Sequence, residues 1–230
     1  MKRIFSILCL ALVIGACDKN KDKENAPFKI NPYDLVGVWA CTEHIALDGQ
    51  NSPYVAEHTA LIISINSITY QAPYFGGGTW EAGIQVEGDK IQASDDDGNK
   101  MLFEVKSLDG KHMTWHQYPD ENETEYAKES FINVTRILPG KWKIQYPDGY
   151  TIATIDAKGS FVEEYETPEP FSMECEWLLE ISNGQVILHI DEIAKDYVLW
   201  STKFTLLKIT DDRIEAKQSG TNADIVLLRQ

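Results

Sequence analysis

Two histidines four positions apart, His112 and His116, have the spacing of a metal-binding pair only on a helix, where i and i+4 share a face. On a strand the same spacing places them roughly 13 Å apart. Around them Met113 and Trp115 alternate with His112, Thr114 and His116, so the segment reads as a strand with both imidazoles facing solvent. Asp95-Asp-Asp-Gly-Asn99 has the outline of a calcium loop, but its glycine falls one place after Asp97 and no bidentate Glu follows at the required distance. It reads as a hairpin turn with solvated charges. The acidic run 118–125 reads as a solvated loop. The sequence contains no Gly-x-Ser-x-Gly, no His-Glu-x-x-His, no phosphate loop and no supported Ser-His or Cys-His pair. Carboxylates are plentiful, yet the strand phases place none beside another on an interior face. The chain is therefore read as non-enzymatic, with no cofactor and no metal.

What remains is thiol and aromatic chemistry. Cys41 shares a strand face with Trp39, and Cys175 shares one with Trp177. Each thiol is expected in a different core, beyond the roughly 7 Å between Cα atoms that a disulfide tolerates. The aromatic residues are the candidates for ligand binding: Tyr70, Tyr74, Phe75, Trp80, Phe103 and Trp115 in the first half, and Tyr150, Phe161, Trp177, Trp200 and Phe204 in the second. They would line a cup open at one end, as barrel mouths that take small apolar molecules do. The competing expectation is a filled core, because eight strands enclose little more than their own side chains.

The elements that would position them come from an internal repeat. Leu35-Val-Gly-Val-Trp39 returns as Leu138-Pro-Gly-Lys-Trp142, 103 residues later. Trp80 is echoed by Trp177, Phe103 by Phe204, and each copy closes on an arginine, Arg136 and Arg229. Turn signals such as Asp97-Gly98, Asp109-Gly110 and Asn183-Gly184 separate short alternating runs. Eight strands are predicted in the first copy, near 36–47, 56–65, 68–73, 79–87, 89–94, 100–108, 111–118 and 128–137. Eight more are predicted in the second, near 140–146, 149–156, 160–166, 171–181, 185–191, 195–209, 213–218 and 223–229. The fold class is all-β: two tandem small eight-stranded antiparallel up-and-down barrels, residues 35–137 and 138–230, whose closure removes exposed edges. Almost no linker separates them, so a semi-rigid tandem is expected.

A Gly-x-Trp on the first strand with an Arg near the end of the last resembles the signature of the lipocalin superfamily. Gly37, Trp39 and Arg136 carry it in copy one; Gly140, Trp142 and Arg229 carry it in copy two. The resemblance implies that the Trp plugs the closed end of each barrel and that the Arg lies across its ring, a contact of roughly 0.5–2 kcal/mol. The chain is most similar to the small lipocalin-like domains of bacterial lipoproteins.

The amino terminus points to export. Met1-Lys2-Arg3 is a positive n-region, residues 4–14 are an apolar run too short to span a bilayer, and Ile14-Gly15-Ala16-Cys17 resembles a lipobox whose cysteine is acylated. Residues 1–17 are thus read as a lipoprotein signal peptide and 18–34 as a charged flexible tether. Loss of Lys2 and Arg3 takes the net charge from −15 to −17, which disfavours nucleic acid as a partner. The expectation is a lipid-anchored binding module at the bacterial cell envelope, in the outer membrane or at the cell surface. Its ligand would be a small apolar or amphipathic molecule; alternatively, filled barrels would dock an envelope protein.

Overall fold

A computed structural model of the chain describes residues 28–46, 48–73, 78–118, 126–165, 171–194 and 197–230. The signal segment with Cys17, the tether up to residue 27, and the candidates Tyr74 and Phe75 lie outside them.

The described residues form two closed antiparallel eight-stranded barrels in tandem. Barrel 1 comprises β1 (Gly37–Ala46), β2 (Ala60–Ile63), β3 (Ser67–Gln71), β4 (Thr79–Glu87), β5 (Lys90–Ser94), β6 (Lys100–Leu108), β7 (His112–Tyr118) and β8 (Ala127–Asn133). Barrel 2 comprises β9 (Gly140–Tyr146), β10 (Gly149–Ile155), β11 (Ser160–Tyr165), β12 (Phe171–Ser182), β13 (Gln185–Ala194), β14 (Tyr197–Ile209), β15 (Arg213–Gln218) and β16 (Asp224–Arg229). Each strand pairs with its chain neighbours, and β8 closes on β1 as β16 closes on β9. Strict alternation builds the wall: in β4, Ala82 and Ile84 are buried while Glu81, Gly83 and Gln85 are exposed. Asn183 and Gly184 both take positive φ, as the tight β12–β13 hairpin requires.

Three short helices modify the expected strands. α1 (Pro32–Leu35) leads into β1. α2 (Pro53–Glu57), opened by its proline, takes the first two residues of the expected second strand, which begins only at Ala60, and packs along β1 with Ala56 buried. α3 (Val134–Ile137) ends β8 at Asn133, four residues short of the expected strand.

The base of each barrel is built alike. Trp39 and Trp142 are fully buried, and their indole N–H groups donate to the carbonyls of Leu35 at 2.6 Å and Leu138 at 2.7 Å. Trp142 pairs across the ladder with Arg229, whose guanidinium lies 4.3 Å from the indole centroid. Trp39 pairs with Asn133. The expected stacking of Arg136 on Trp39 is therefore corrected, because α3 carries Arg136 off the strand to bond Asp34 at 3.3 Å and the Tyr33 carbonyl at 2.5 Å. The glycine of each Gly-x-Trp sits at φ near +147° (Gly37) or +145° (Gly140), where a methyl would strike Asn133 or Arg229.

The barrels share a core. Val38, Ala60 and Ile132, on the outer face of barrel 1, belong to the same buried cluster as Ile137, Leu138 and the interior of barrel 2. The β12–β13 hairpin presses on α2's end: the Gly184 N–H donates to Gln71 Oε1 at 2.9 Å, and a side chain at Gly184 would collide with the His58 carbonyl. His112 completes the contact, with Nδ1 3.2 Å from Asp109 and Nε2 3.3 Å from Asp211 of barrel 2.

Candidate functional site

The aromatic candidates of barrel 1 fill its lumen instead of lining a cup. Tyr70, Phe103 and Trp115 are fully buried, with Phe103 stacked on Trp115 at 4.3 Å and Tyr70 edge-on to both at about 6 Å. Trp80 is half-buried and gives its indole N–H to Asp95 at 2.9 Å. The side chain of Asn99 is the main reason the Asp95 carboxyl is held below the usual range, with Trp80 adding to it. The turn is a self-satisfied hairpin, as expected.

In barrel 2, Phe161 and Phe204 are core residues. Counting ladder pairs outward from each plug tryptophan makes Phe204 the register equivalent of Phe103. The same count pairs Trp80 with Met173, so the Trp80–Trp177 echo is offset by four residues. Trp177 is half-buried and donates to the Asp156 carbonyl at 2.9 Å.

One candidate is corrected. Tyr150 faces outward, 44% exposed beneath the Lys143 ammonium, because Thr151, Ala153 and Ile155 take the inward phase of β10. Trp200 keeps the phase of Thr202, Phe204 and Leu206 and is 38% exposed, next to the bulge that shifts the β13–β14 register after Glu192.

The strand phases put no two carboxylates side by side inside a barrel, but among the described residues each barrel buries a single one. On β8, Ala127, Glu129, Phe131 and Asn133 alternate inward, and Glu129 is completely buried. One of its oxygens lies 2.9 Å from His44 Nδ1; the other accepts from the Tyr70 hydroxyl at 2.5 Å and the Trp115 indole at 2.9 Å. His44 and Trp115 flank Glu129 in the ladder, whereas Tyr70 reaches it from β3. A buried charge is costly unless its oxygens are bonded, and these are.

Barrel 2 has a counterpart. Glu163 is 2% exposed and accepts from the hydroxyls of Tyr146 at 2.9 Å, Thr151 at 2.5 Å and Tyr165 at 2.8 Å. Burial, then the Glu163 charge, pushes the Tyr146 phenol far above its ordinary value; burial and the bond to Glu163 do the same for Tyr165. The ladder puts Glu163 where Tyr70 stands in barrel 1, so carboxylate and hydroxyl have exchanged strands between the copies.

These clusters can hold a barrel together, but a general base must reach a substrate proton, and both carboxylates are sealed beneath packed side chains. Their neighbours are quiet as well. Burial first, then the Glu129 charge, raises the Cys41 thiol well above its ordinary value; burial, then Glu192 and Glu163, pushes Cys175 up to about 11. Both thiols are free and buried, one in each core. Among the described residues no group of three or more His, Cys, Asp or Glu is placed to hold a metal ion.

The space suited to a ligand lies between the barrels. A groove of about 400 Å³ has Ala40, Thr42, Pro53, Ala56 and Glu57 on the barrel 1 side. Val186, Leu206, Leu207, Lys208 and Ile209 form the barrel 2 side. A depression of about 330 Å³ along β4–β6 is ringed by polar Asn66, Gln85, Gln92 and Lys100, and belongs to barrel 1 alone.

No family model matches the chain, and no curated protein matches it.

Proposed function

We propose that this chain is a non-catalytic binding module, exported and held at a bacterial envelope membrane by a lipid on Cys17, whose ligand is a small apolar or amphipathic molecule. The observation that carries the reading is where space remains. Among the described residues, Tyr70, Phe103 and Trp115 in one lumen and Phe161 and Phe204 in the other are packed away, whereas the groove between the barrels has about 400 Å³, within the roughly 300–1,000 Å³ typical of small-molecule sites. The duplicated Gly-x-Trp, with its buried indole at the base of each barrel, supports the lipocalin-like kinship, and the amino-terminal Ile14-Gly15-Ala16-Cys17 supports the exported setting.

The second reading, docking of an envelope protein, is favoured by the same packed aromatics together with exposed Ile62, Ile65 and Leu178 on the outer walls. The test is mass spectrometry of solvent extracts from mature protein purified without denaturation. About one small molecule per chain supports the ligand reading; nothing above trace sinks it and leaves the docking role.

A further inference from the structure

Two irregularities in the barrel walls face one another across the groove. The β1–β8 ladder skips Thr42 at a bulge between Cys41 and Glu43, and the β14–β15 ladder skips Leu207 at a bulge between Leu206 and Lys208. Neither residue has a ladder partner on its other side, because β2 ends its pairing with β1 at Ala40 and β13 reaches β14 only up to Leu206. Bulges re-aim side chains and concentrate beside functional sites.

The second bulge also occurs in barrel 1, between Val105 and Ser107 of β6, at the equivalent register. There the extra residue is Lys106, paired with Glu104. In barrel 2 the same wall position carries Leu207, 39% exposed, and it lines the groove. One backbone geometry thus presents a charge in barrel 1 and an apolar side chain where the second barrel is near.

The groove's charges are arranged to match. Lys208 is exposed on the barrel 2 wall and Glu57 is exposed on the barrel 1 wall; the two are not ion-paired. Ala40, Pro53, Ala56 and Leu207 line the same groove. The Gly184–Gln71 bond and the Gly184–His58 contact hold the walls at a fixed separation.

We infer that this groove binds a zwitterionic amphiphile: a short apolar chain against Leu207, Pro53 and Ala56, its anionic group toward Lys208 and its cationic group toward Glu57. The inference rests on the ligand-binding reading above and names its site and its chemistry.

Titration calorimetry of the mature protein against three decyl compounds, decylphosphocholine, decyl sulfate and decyltrimethylammonium, all below their micellar concentrations, tests it. The zwitterion is expected to bind at least about fivefold more tightly than either singly charged compound. Lys208→Glu should abolish that preference, and Leu207→Asp should weaken all three compounds at least about tenfold. Both positions are exposed, and circular dichroism confirms that each variant is folded before titration. Equal affinity for the three heads, or affinities unchanged in both variants, overturns the inference. Solvent extraction separates this from the broader reading: a compound that still co-purifies with Leu207→Asp protein places the ligand elsewhere and leaves the binding role intact.

Discussion

Asn133 stands opposite Trp39 in barrel 1 as Arg229 stands opposite Trp142 in barrel 2. Both side chains donate to the carbonyl just before the motif glycine: Asn133 Nδ2 to Val36 at 3.2 Å, Arg229 Nη1 to Pro139 at 3.2 Å. Arg229 also bonds the carbonyls of Ile137 and Asp211 and covers the indole. In barrel 1 that work is divided, with Asn133 at the tryptophan and Arg136 against Gly110 in the β6–β7 turn.

The division predicts unequal sensitivity. Arg229→Ala loses the cation–π contact and its carbonyl bonds, and should cost at least about 1–2 kcal/mol. Arg229→Lys should recover little, since an ammonium cannot reproduce the planar fork. Asn133→Ala should cost less than Arg229→Ala. Urea denaturation of the three variants decides; equal losses for Asn133→Ala and Arg229→Ala would count against a special role for the guanidinium.

The Glu129 cluster predicts a ranking. Glu129→Ala strands the Tyr70 hydroxyl, the Trp115 indole and His44 inside barrel 1, and should cost about 3–5 kcal/mol. Tyr70→Phe removes one hydroxyl donor to Glu129 and should cost about 1–3 kcal/mol. Tryptophan fluorescence during chemical unfolding reports both. A Glu129→Ala protein as stable as the parent would mean that the carboxylate is not the hub its bonds suggest.

The thiols predict behaviour at alkaline pH. Neither Cys41 nor Cys175 should react with Ellman's reagent at pH 8 in the folded protein, and both should react in denaturant. Folded Cys175 stays protonated up to about 11, whereas an unfolded cysteine ionises near 8.5. The unfolded state therefore releases its proton first. This contribution to stability is complete below about pH 8.5 and is lost as pH rises toward 11. Cys175→Ala should flatten the alkaline decline, and an identical pH profile for variant and parent would contradict it.

The proposed lipid anchor makes a cellular prediction. Cys17→Ser should move the protein from the membrane to the soluble fraction after cell lysis, because acyl chains on Cys17 would supply the membrane affinity. Continued sedimentation with membranes would remove Cys17 from the account.

Strand order and inward phase were readable because most interior positions are apolar and alternate without interruption: β4 and β7 reproduce the phases of Trp80–Val86 and His112–His116. Glu129 and Glu163 escaped because a carboxylate is assigned to solvent by default, and the donors that offset its burial come from strands distant in sequence. The alternation Ala127, Glu129, Phe131, Asn133 was nevertheless visible. Arg136 misled because it lies near the end of the first copy, and only the α3 turn, unmarked by glycine or proline, separates it from the strand. Tyr150 misled through its size; its neighbours Thr151 and Ala153 set the phase. The groove had no signal in one dimension, since Thr42 and Leu207 come to line one space only once both barrels are closed.

The shared cluster around Val38, Ala60 and Ile132 has a consequence for how the molecule comes apart. The sequence repeats one can twice, but a greasy outer wall of the first joins the buried cluster of the second, so neither is self-contained. Cut at Leu138, each half would bare a sticky surface. The pair should melt as one cooperative body and survive only as a unit.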